Sequence, residues 1–279
     1  VERSRGLGDV YKRQTMSAPF LSVIDWSRPW LSCVRAVGVE LARADSWQQE
    51  LNRRATELGL RNHRDLQIRF VPQAELPADT AYEAHISQTG HVPTRDNLHD
   101  FFNALVWLTF PKIKVQLNLL QAREIERAAS VHAIAPRGKV RDAATIFDEN
   151  AVLLVSANDD LMHALREHAW EEVFVNRRAE FERDSSVYLF GHALMEKLVQ
   201  PYKAITGHTW IVAQTCPPVD MPLAEQCAWV DQIVAQQLAQ GLTTANFSPL
   251  QMLGVPGWWP DQNRDFYCDT TVFLSLIHI

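Results

Sequence analysis

The chain has 279 residues, of which 47% are hydrophobic and 22% are charged, and its formal net charge is −6. This composition is typical of a folded globular protein and excludes an intrinsically disordered chain. The acidic balance disfavours nucleic acid and anionic membranes as partners, since both favour a clustered positive surface, so we expect neither. The most apolar stretch, residues 104–110, is far shorter than the roughly 20 residues that span a bilayer.

The two ends of the chain do not resemble parts of a folded domain. The strings GLGDVYKRQ and SLIHI resemble translated sequencing-adapter sequence, so we predict that residues 1–15 and 274–279 are artefacts. The native unit is then a single domain of residues 16–273, starting at Met16. Without the first fifteen residues, whose net charge is +2, the net charge changes from −6 to −8. The alternative is a basic arm at the start and a final strand at the end.

The cysteines and the predicted native start indicate a soluble, cytoplasmic protein. The four cysteines are far apart, without CxxC pairs or close Cys/His spacing, so neither a disulfide scaffold nor a zinc ribbon is expected: Cys33, Cys216, Cys227 and Cys268. After Met16, charged residues and prolines interrupt anything that resembles the apolar core of a signal peptide.

The first half of the chain combines a capped helix, two short strands and a buried helix pair. Ser46 and Gln49 form a capping-box pattern that begins a helix ending near Gly59. Residues 66–71 and 82–87 alternate apolar with polar side chains, which predicts half-buried strands.

Residues 98–129 predict the buried helix pair. Residues 98–110 are apolar on nearly every face, as expected of a buried helix. A residue before proline avoids the helical conformation and proline suits a first helical turn, so we predict a break at Phe110 and a second helix over 111–129.

The second half mixes short strands and helices before an irregular tail. We predict strands at 151–156, 173–176, 187–190 and 209–213, a short helix or turn at 143–147, and helices at 158–170, 191–199 and 222–241. The tail, 247–273, is rich in proline and glycine, so its aromatic residues, including Trp258 and Trp259, must order it as a strap across the domain. The predicted fold class is a helix-rich α+β domain with a mixed β-sheet.

The first candidate site is a polar face on the apolar helix over 98–110. Asp100, Asn103 and Trp107 are spaced i, i+3 and i+7, so they share one face. Burying a carboxylate costs several kcal/mol unless it is paired, so this face indicates either an internal network or a ligand pocket. Lys112 or Lys114 could supply the counter-charge.

The second candidate site precedes the predicted strand at 151–156. Asp148 is a candidate acid or base there, although Asp is also an ordinary capping residue. A basic island of Arg137, Lys139 and Arg141 lies just before it and would attract an anionic substrate, unless it is only a solvated loop.

The third candidate site contains histidines. His192 and Glu196 are spaced i, i+4 on a helix, and His208 follows nearby, a set of side chains that would suit zinc or iron. His163 and Glu167 repeat this spacing elsewhere, so a capping or core role for the histidines is the alternative. No nucleotide-loop, GxSxG or HExxH pattern is present.

Four separated blocks resemble one known family. The blocks HDFFNALVWLTFPK, RDAATIFDEN, LFGHALMEKL and LGVPGWW occur in this order, and together they resemble the bacterial family of domain of unknown function 3025. The resemblance covers most of residues 16–273. Because no activity is established for that family, it implies no role for any residue.

Two functions are compatible with the sequence. In the first, the protein is an enzyme whose pocket combines five candidate catalytic residues: Asp100, Asn103, Asp148, His192 and His208. Five further residues would then bind a small anionic substrate: Arg137, Lys139, Arg141, Lys112 and Trp107. In the second, the protein is a non-catalytic binding or assembly module whose polar clusters are structural and whose aromatic tail contacts a partner. The sequence specifies no cofactor, metal or partner.

Overall fold

Helices form most of the structure, a computed structural model that describes residues 18–130 and 138–274. The helices are α1 (Ser32–Arg43), α2 (Trp47–Glu57), α3 (Tyr82–Thr89), α4 (Leu98–Thr109), α5 (Pro111–Ser130), α6 (Lys139–Asn150), α7 (Asp159–Arg166), α8 (Arg178–Asp184), α9 (His192–Lys197), α10 (Leu223–Gln240) and α11 (Arg264–Tyr267). The strands are β1 (Arg69–Pro72), β2 (His91–Thr94), β3 (Ala151–Ser156), β4 (Ser185–Leu189), β5 (Thr206–Val212) and β6 (Phe247–Gln251). The helix-rich α+β class is confirmed. The predicted start at Met16 lies outside the described residues.

The main sheet is mixed and has the strand order β4-β3-β5-β6. The central strands β3 and β5 are parallel, and each edge strand is antiparallel to its neighbour. Every residue of β3 is buried, which explains its continuous apolar sequence AVLLVS. Because β3 and β4 are antiparallel, with Val152 opposite Leu189, the residues just before β3 lie beside those just after β4.

The helix pair α4 and α5 confirms the predicted break at Phe110. This residue has φ −129° and ψ 57°, outside the helical region, and α5 begins at Pro111. Nine consecutive residues of α4, from 100 to 108, are buried. The first turn of α5 is capped from α10, because Asp231 accepts hydrogen bonds from the backbone N–H groups of Lys112 (3.0 Å) and Ile113 (2.8 Å).

Two predicted strands are wrong, because a short alternating or apolar run also fits a helical turn. Residues 82–87 belong to α3, which ends at Gly90 in the left-handed conformation (φ 75°). Tyr82 and Ile86 are spaced i, i+4, so a helix groups these apolar side chains as well as a strand would. Residues 173–176 lie in a π-helical turn, Glu172–Asn176, which buries Val173 and Phe174.

Other elements differ from the predictions in their bounds. The predicted strand over 66–71 is shorter, and it pairs in parallel with the unpredicted β2. The short helix over 143–147 is part of the longer α6. The tail begins with β6, which extends the main sheet, and continues irregularly up to the short α11. Trp258 and Trp259 are half-buried against the core. No helix among the described residues is long and apolar enough to cross a membrane.

Candidate functional site

A cavity of about 370 Å³ lies between α3, α4, α5, α6 and α9. Its polar wall includes residues from all three sequence-predicted clusters, together with residues that the sequence did not indicate. The polar side chains that line it are Gln73, Tyr82, Glu83, Arg95, His99, Asp100, Asn103, Gln121, Arg141, Thr145, Asp148, Glu149 and His192.

The antiparallel pairing of β3 with β4 brings α6 and α9 together at the cavity. Helix α6 leads directly into β3, so Asp148 and Glu149 lie at the start of that strand. His192 follows the end of β4, on the neighbouring strand. Between them Gly191 donates its N–H to the carbonyl of Ala151 at 2.8 Å. The chains approach so closely there that a Cβ on Gly191 would lie 2.6 Å from backbone atoms.

Helix α4 supplies the opposite wall. Its first turn is capped by Asn97, whose side-chain oxygen accepts a hydrogen bond from the N–H of Asp100 at 2.8 Å. His99 and Asn103 are spaced i, i+4, so they face the cavity one turn apart. The capped helix therefore fixes where both side chains enter the cavity.

Two histidines and a glutamate meet at one point of the wall. The Nε2 atoms of His99 and His192 are 3.1 Å apart. Glu149 Oε2 lies 3.4 Å from Nε2 of His192 and 3.9 Å from Nε2 of His99. The other ring nitrogen of His99, Nδ1, contacts Glu196 Oε2 at 3.1 Å. Burial is the main cause that lowers the pKa of His192 to about 3.

A buried chain of hydrogen bonds runs behind these groups. The Lys114 ammonium donates to Asp148 Oδ1 (2.6 Å) and to Asn103 Oδ1 (2.8 Å). The amide of Asn103 in turn donates to the Tyr82 hydroxyl oxygen at 3.2 Å. Although burial opposes ionisation, the charge of Lys114 holds the pKa of Asp148 below its ordinary value.

Burial favours the protonated, uncharged form of two further wall residues. Burial raises the pKa of Tyr82 well above its ordinary value. Burial, reinforced by the charge of Asp148, also raises the pKa of Glu83. Glu83 Oε2 accepts a hydrogen bond from Asn118 at 2.7 Å.

Arginines form the cationic part of the wall. The Arg95 guanidinium contacts both oxygens of Asp100 at 2.9 Å, and the Arg95 backbone N–H donates to the same carboxylate. Asp100 thus holds Arg95 in place. Arg141 forms no ion pair with any residue that the structure describes, and its buried Nε has no hydrogen-bond partner there.

Five of the ten sequence-predicted site residues do line the cavity: Asp100, Asn103, Asp148, His192 and Arg141. Trp107 lies behind the wall, where its ring is 5.4 Å from the Lys114 ammonium. Lys112 is on the surface, donating to Gln232, and Lys139 is exposed at the start of α6. His208 does not line the cavity, because its ring packs against Phe247 with centroids 5.9 Å apart. Arg137 lies outside the described residues.

The sequence did not indicate several of the residues that complete the site. His99 carried a usable signal, since it lies four residues before Asn103 on the same helix face. Glu149 belongs to the polar segment that precedes β3, but only Asp148 was selected there as a catalytic candidate. Tyr82 and Glu83 were missed because residues 82–87 were predicted to be a strand.

A comparison with protein families identifies the chain's relatives. The model described as protein of unknown function (DUF3025) matches residues 68–276, well over half of the chain. The chain belongs to this family. The DUF3025 match begins after α1 and α2, and it contains every residue that lines the cavity. No curated protein and no solved structure matches the chain.

Proposed function

We propose that this DUF3025 protein is an enzyme that acts on a small anionic substrate in the cavity. The observation that carries the proposal is the convergence of polar side chains from five helices on one concave space. A volume of about 370 Å³ is within the range of small-molecule sites. Burying this many ionisable groups costs stability, so proteins keep such clusters mainly where they serve function.

An unsatisfied atom argues against a purely structural network. In a network that only locks the fold, nearly every buried polar atom has a partner. Here the Nε of Arg141 is buried without a hydrogen-bond partner among the described residues. Arg141 lines the cavity, where a ligand could satisfy this donor.

The cationic groups support an anionic substrate. Arg141 forms no ion pair with a described residue, although its charge acts on Glu83, whereas the charges of Arg95 and Lys114 are each balanced by a carboxylate in direct contact. A guanidinium binds carboxylate and phosphate groups through parallel N–H donors, so Arg141 would anchor the anion and the free edge of Arg95 would orient it.

The remaining wall residues suit proton transfer. Glu83 lies on the cavity wall, and burial raises the pKa of its carboxyl group. Glu83 would therefore exchange a proton with the substrate, and the hydroxyl group of Tyr82 would orient the substrate through a hydrogen bond. The alternative assembly function loses its main support, since Trp258 and Trp259 pack against the core instead of forming an exposed anchor.

Anion binding is the first test of this proposal. The thermal unfolding midpoint would be measured with phosphate, sulfate, small carboxylates and sugar phosphates, for the unmodified protein, Arg141→Gln and the control Lys139→Gln. A ligand at 100 times its Kd adds about 2.7 kcal/mol of stability. That increment raises the midpoint by roughly 5–10 °C in a protein of this size.

The two variants distinguish anion binding in the cavity from anion binding at the protein surface. Lys139 belongs to the same basic island but is exposed and does not line the cavity, so Lys139→Gln should respond to anions as the unmodified protein does. Arg141→Gln should lose the response. If no anion stabilises the unmodified protein, or if both variants respond equally, the proposed substrate class is wrong.

A further inference from the structure

We infer that His99, Glu149 and His192 bind one divalent transition-metal ion, zinc or iron(II), at the wall of the cavity. The inference rests on the proposed function and deepens it, since the ion would lie on the wall of the same cavity as Arg141, the proposed substrate anchor. One atom from each residue meets the others within 4.8 Å: Nε2 of both histidines and a carboxylate oxygen of Glu149.

The distances between these atoms match a metal centre. A triangle with sides of 3.1, 3.4 and 3.9 Å has a circumscribed circle of about 2.0 Å radius, so one point lies about 2.0 Å from all three atoms. Zinc binds histidine nitrogen at about 2.0–2.1 Å and carboxylate oxygen at about 2.0–2.2 Å. The three side chains therefore need little or no movement to coordinate one ion.

The outer ring nitrogen of His99 indicates that its Nε2 atom carries a lone pair. Nδ1 of His99 lies 3.1 Å from the Glu196 carboxylate, so it carries the hydrogen. Nδ1 of His192 has no hydrogen-bond partner among the described residues, and Asp148 Oδ2 lies 3.9 Å from it. With the His192 hydrogen on Nδ1, the Nε2 atoms of both rings are available as metal ligands 3.1 Å apart.

Among the described residues, no lysine or arginine forms an ion pair with the Glu149 carboxylate. Asp148 is paired with Lys114 and Asp100 with Arg95, whereas the ion-pair contacts of Glu149 are to the two imidazoles alone among the described residues. A metal ion would supply its counter-charge. The carboxylates of Glu196 and Asp148 behind the two imidazoles match the usual outer sphere of a histidine-bound metal, which fixes ring orientation and raises ligand basicity.

Three protein ligands leave coordination positions open towards the cavity. A structural zinc site uses four protein ligands, whereas catalytic sites keep a position for water or substrate. A two-histidine, one-carboxylate set occurs in zinc hydrolases and in iron(II) enzymes, so both ions are tested. An ion there would act as a Lewis acid on a substrate group held by Arg141.

The test is metal binding by the full chain, purified through a histidine-free tag. Metal content would be measured directly, and the stripped protein would be titrated separately with Zn²⁺, with Fe²⁺ under anaerobic conditions and with Co²⁺. We expect one ion per chain and, with Co²⁺, the visible absorption bands of a site with nitrogen and oxygen ligands. The relative affinities for Zn²⁺ and Fe²⁺ distinguish the two candidates.

Variants distinguish the proposed metal ligands from the residues around them. His99→Asn and Glu149→Gln change side chains that are about one-third exposed, 30% and 31%, so the fold should tolerate them. Glu196→Gln changes an outer-sphere group, so it should lower metal affinity roughly 10–100-fold. Each of the two ligand variants should lower metal affinity more than that. The matched control, His163→Asn with Glu167→Gln, alters an exposed pair on α7 and should leave affinity unchanged.

Several outcomes would overturn the metal site. If the unmodified protein binds less than one ion per chain, the metal site is wrong. A hydrogen bond between the two histidines would then explain why their Nε2 atoms lie 3.1 Å apart. An equal loss of affinity in the control pair would also overturn the metal site. Metal binding that fails while Arg141-dependent anion binding persists removes only this inference, whereas metal binding without any anion response removes the proposed function.

Discussion

Substituting Gly191 tests whether the close approach of α6 and α9 sets the geometry of the site. A Cβ on this residue would lie 2.6 Å from Cα of Asn150 and from the carbonyl oxygen of Glu149, and 2.7 Å from the nitrogen of Ala151. All three are backbone atoms, so no flexible side chain can move away to make room. Gly191→Ala must therefore move the start of α9 away from the end of α6.

The size of this effect follows from the contact distances. Non-bonded carbon atoms pack at about 3.5–4.0 Å, so the two segments must separate by roughly 1 Å. Overpacking of this kind costs about 1–3 kcal/mol of stability. The same shift moves His192 away from Glu149, and a misplacement of about 1 Å in a catalytic site costs on the order of 100-fold in rate. We expect metal affinity to fall at least tenfold, on the scale of about 1.4 kcal/mol per factor of ten.

Metal titration and denaturant unfolding of the same variant would check this prediction. The control is Ala55→Gly in α2, a buried position that does not line the cavity, where the loss of helix propensity costs about 1 kcal/mol. The control should lose stability but keep its metal affinity. If Gly191→Ala binds metal as tightly as the unmodified protein, the close approach does not control the site and the reasoning is refuted.

Two further substitutions probe the network around the cavity, and a third tests the cap of α5. Lys114→Met leaves Asp148 buried without a counter-charge and should cost about 3–5 kcal/mol at neutral pH, measured by denaturant unfolding. Asp100→Asn should cost about 1–3 kcal/mol and weaken anion binding through Arg95, with metal affinity unchanged by titration. Burial raises the pKa of Asp231 from 3.8 to about 6, so its contribution to stability should be greatest below pH 4 and decline by up to about 3 kcal/mol as pH rises to 6. Unfolding across this pH range should show the decline in the unmodified protein and lose it in Asp231→Asn; equal profiles would contradict the prediction.

Elements with strong local signals were predictable from the sequence. The break at Phe110 follows from Pro111, whose ring constrains the residue before it. The five apolar residues of β3, followed by Ser156, form the predicted strand with the same bounds. The strand predicted over 82–87 was wrong, since six residues of alternating polarity do not distinguish a strand from a two-turn helix whose apolar residues recur at i, i+4.

The candidate site was predictable only in part. Polar residues inside apolar segments, such as Asp100, Asn103 and Asp148, stand out because burying them is costly, and these line the cavity. His208 showed the same kind of signal yet packs elsewhere, against Phe247. A single polar residue on a strand gives no information about which neighbour its side chain will contact.

The sequence by itself determined the helix pair, the buried central strand and the three polar clusters, because periodicity, proline geometry and the cost of buried charge act locally. Tertiary structure alone decided that the clusters meet. The antiparallel pairing of β3 with β4 places His192 beside Glu149, and the packing of α4 on α9 adds His99. Strand pairing and helix packing join residues distant in the chain, so no local pattern specifies them.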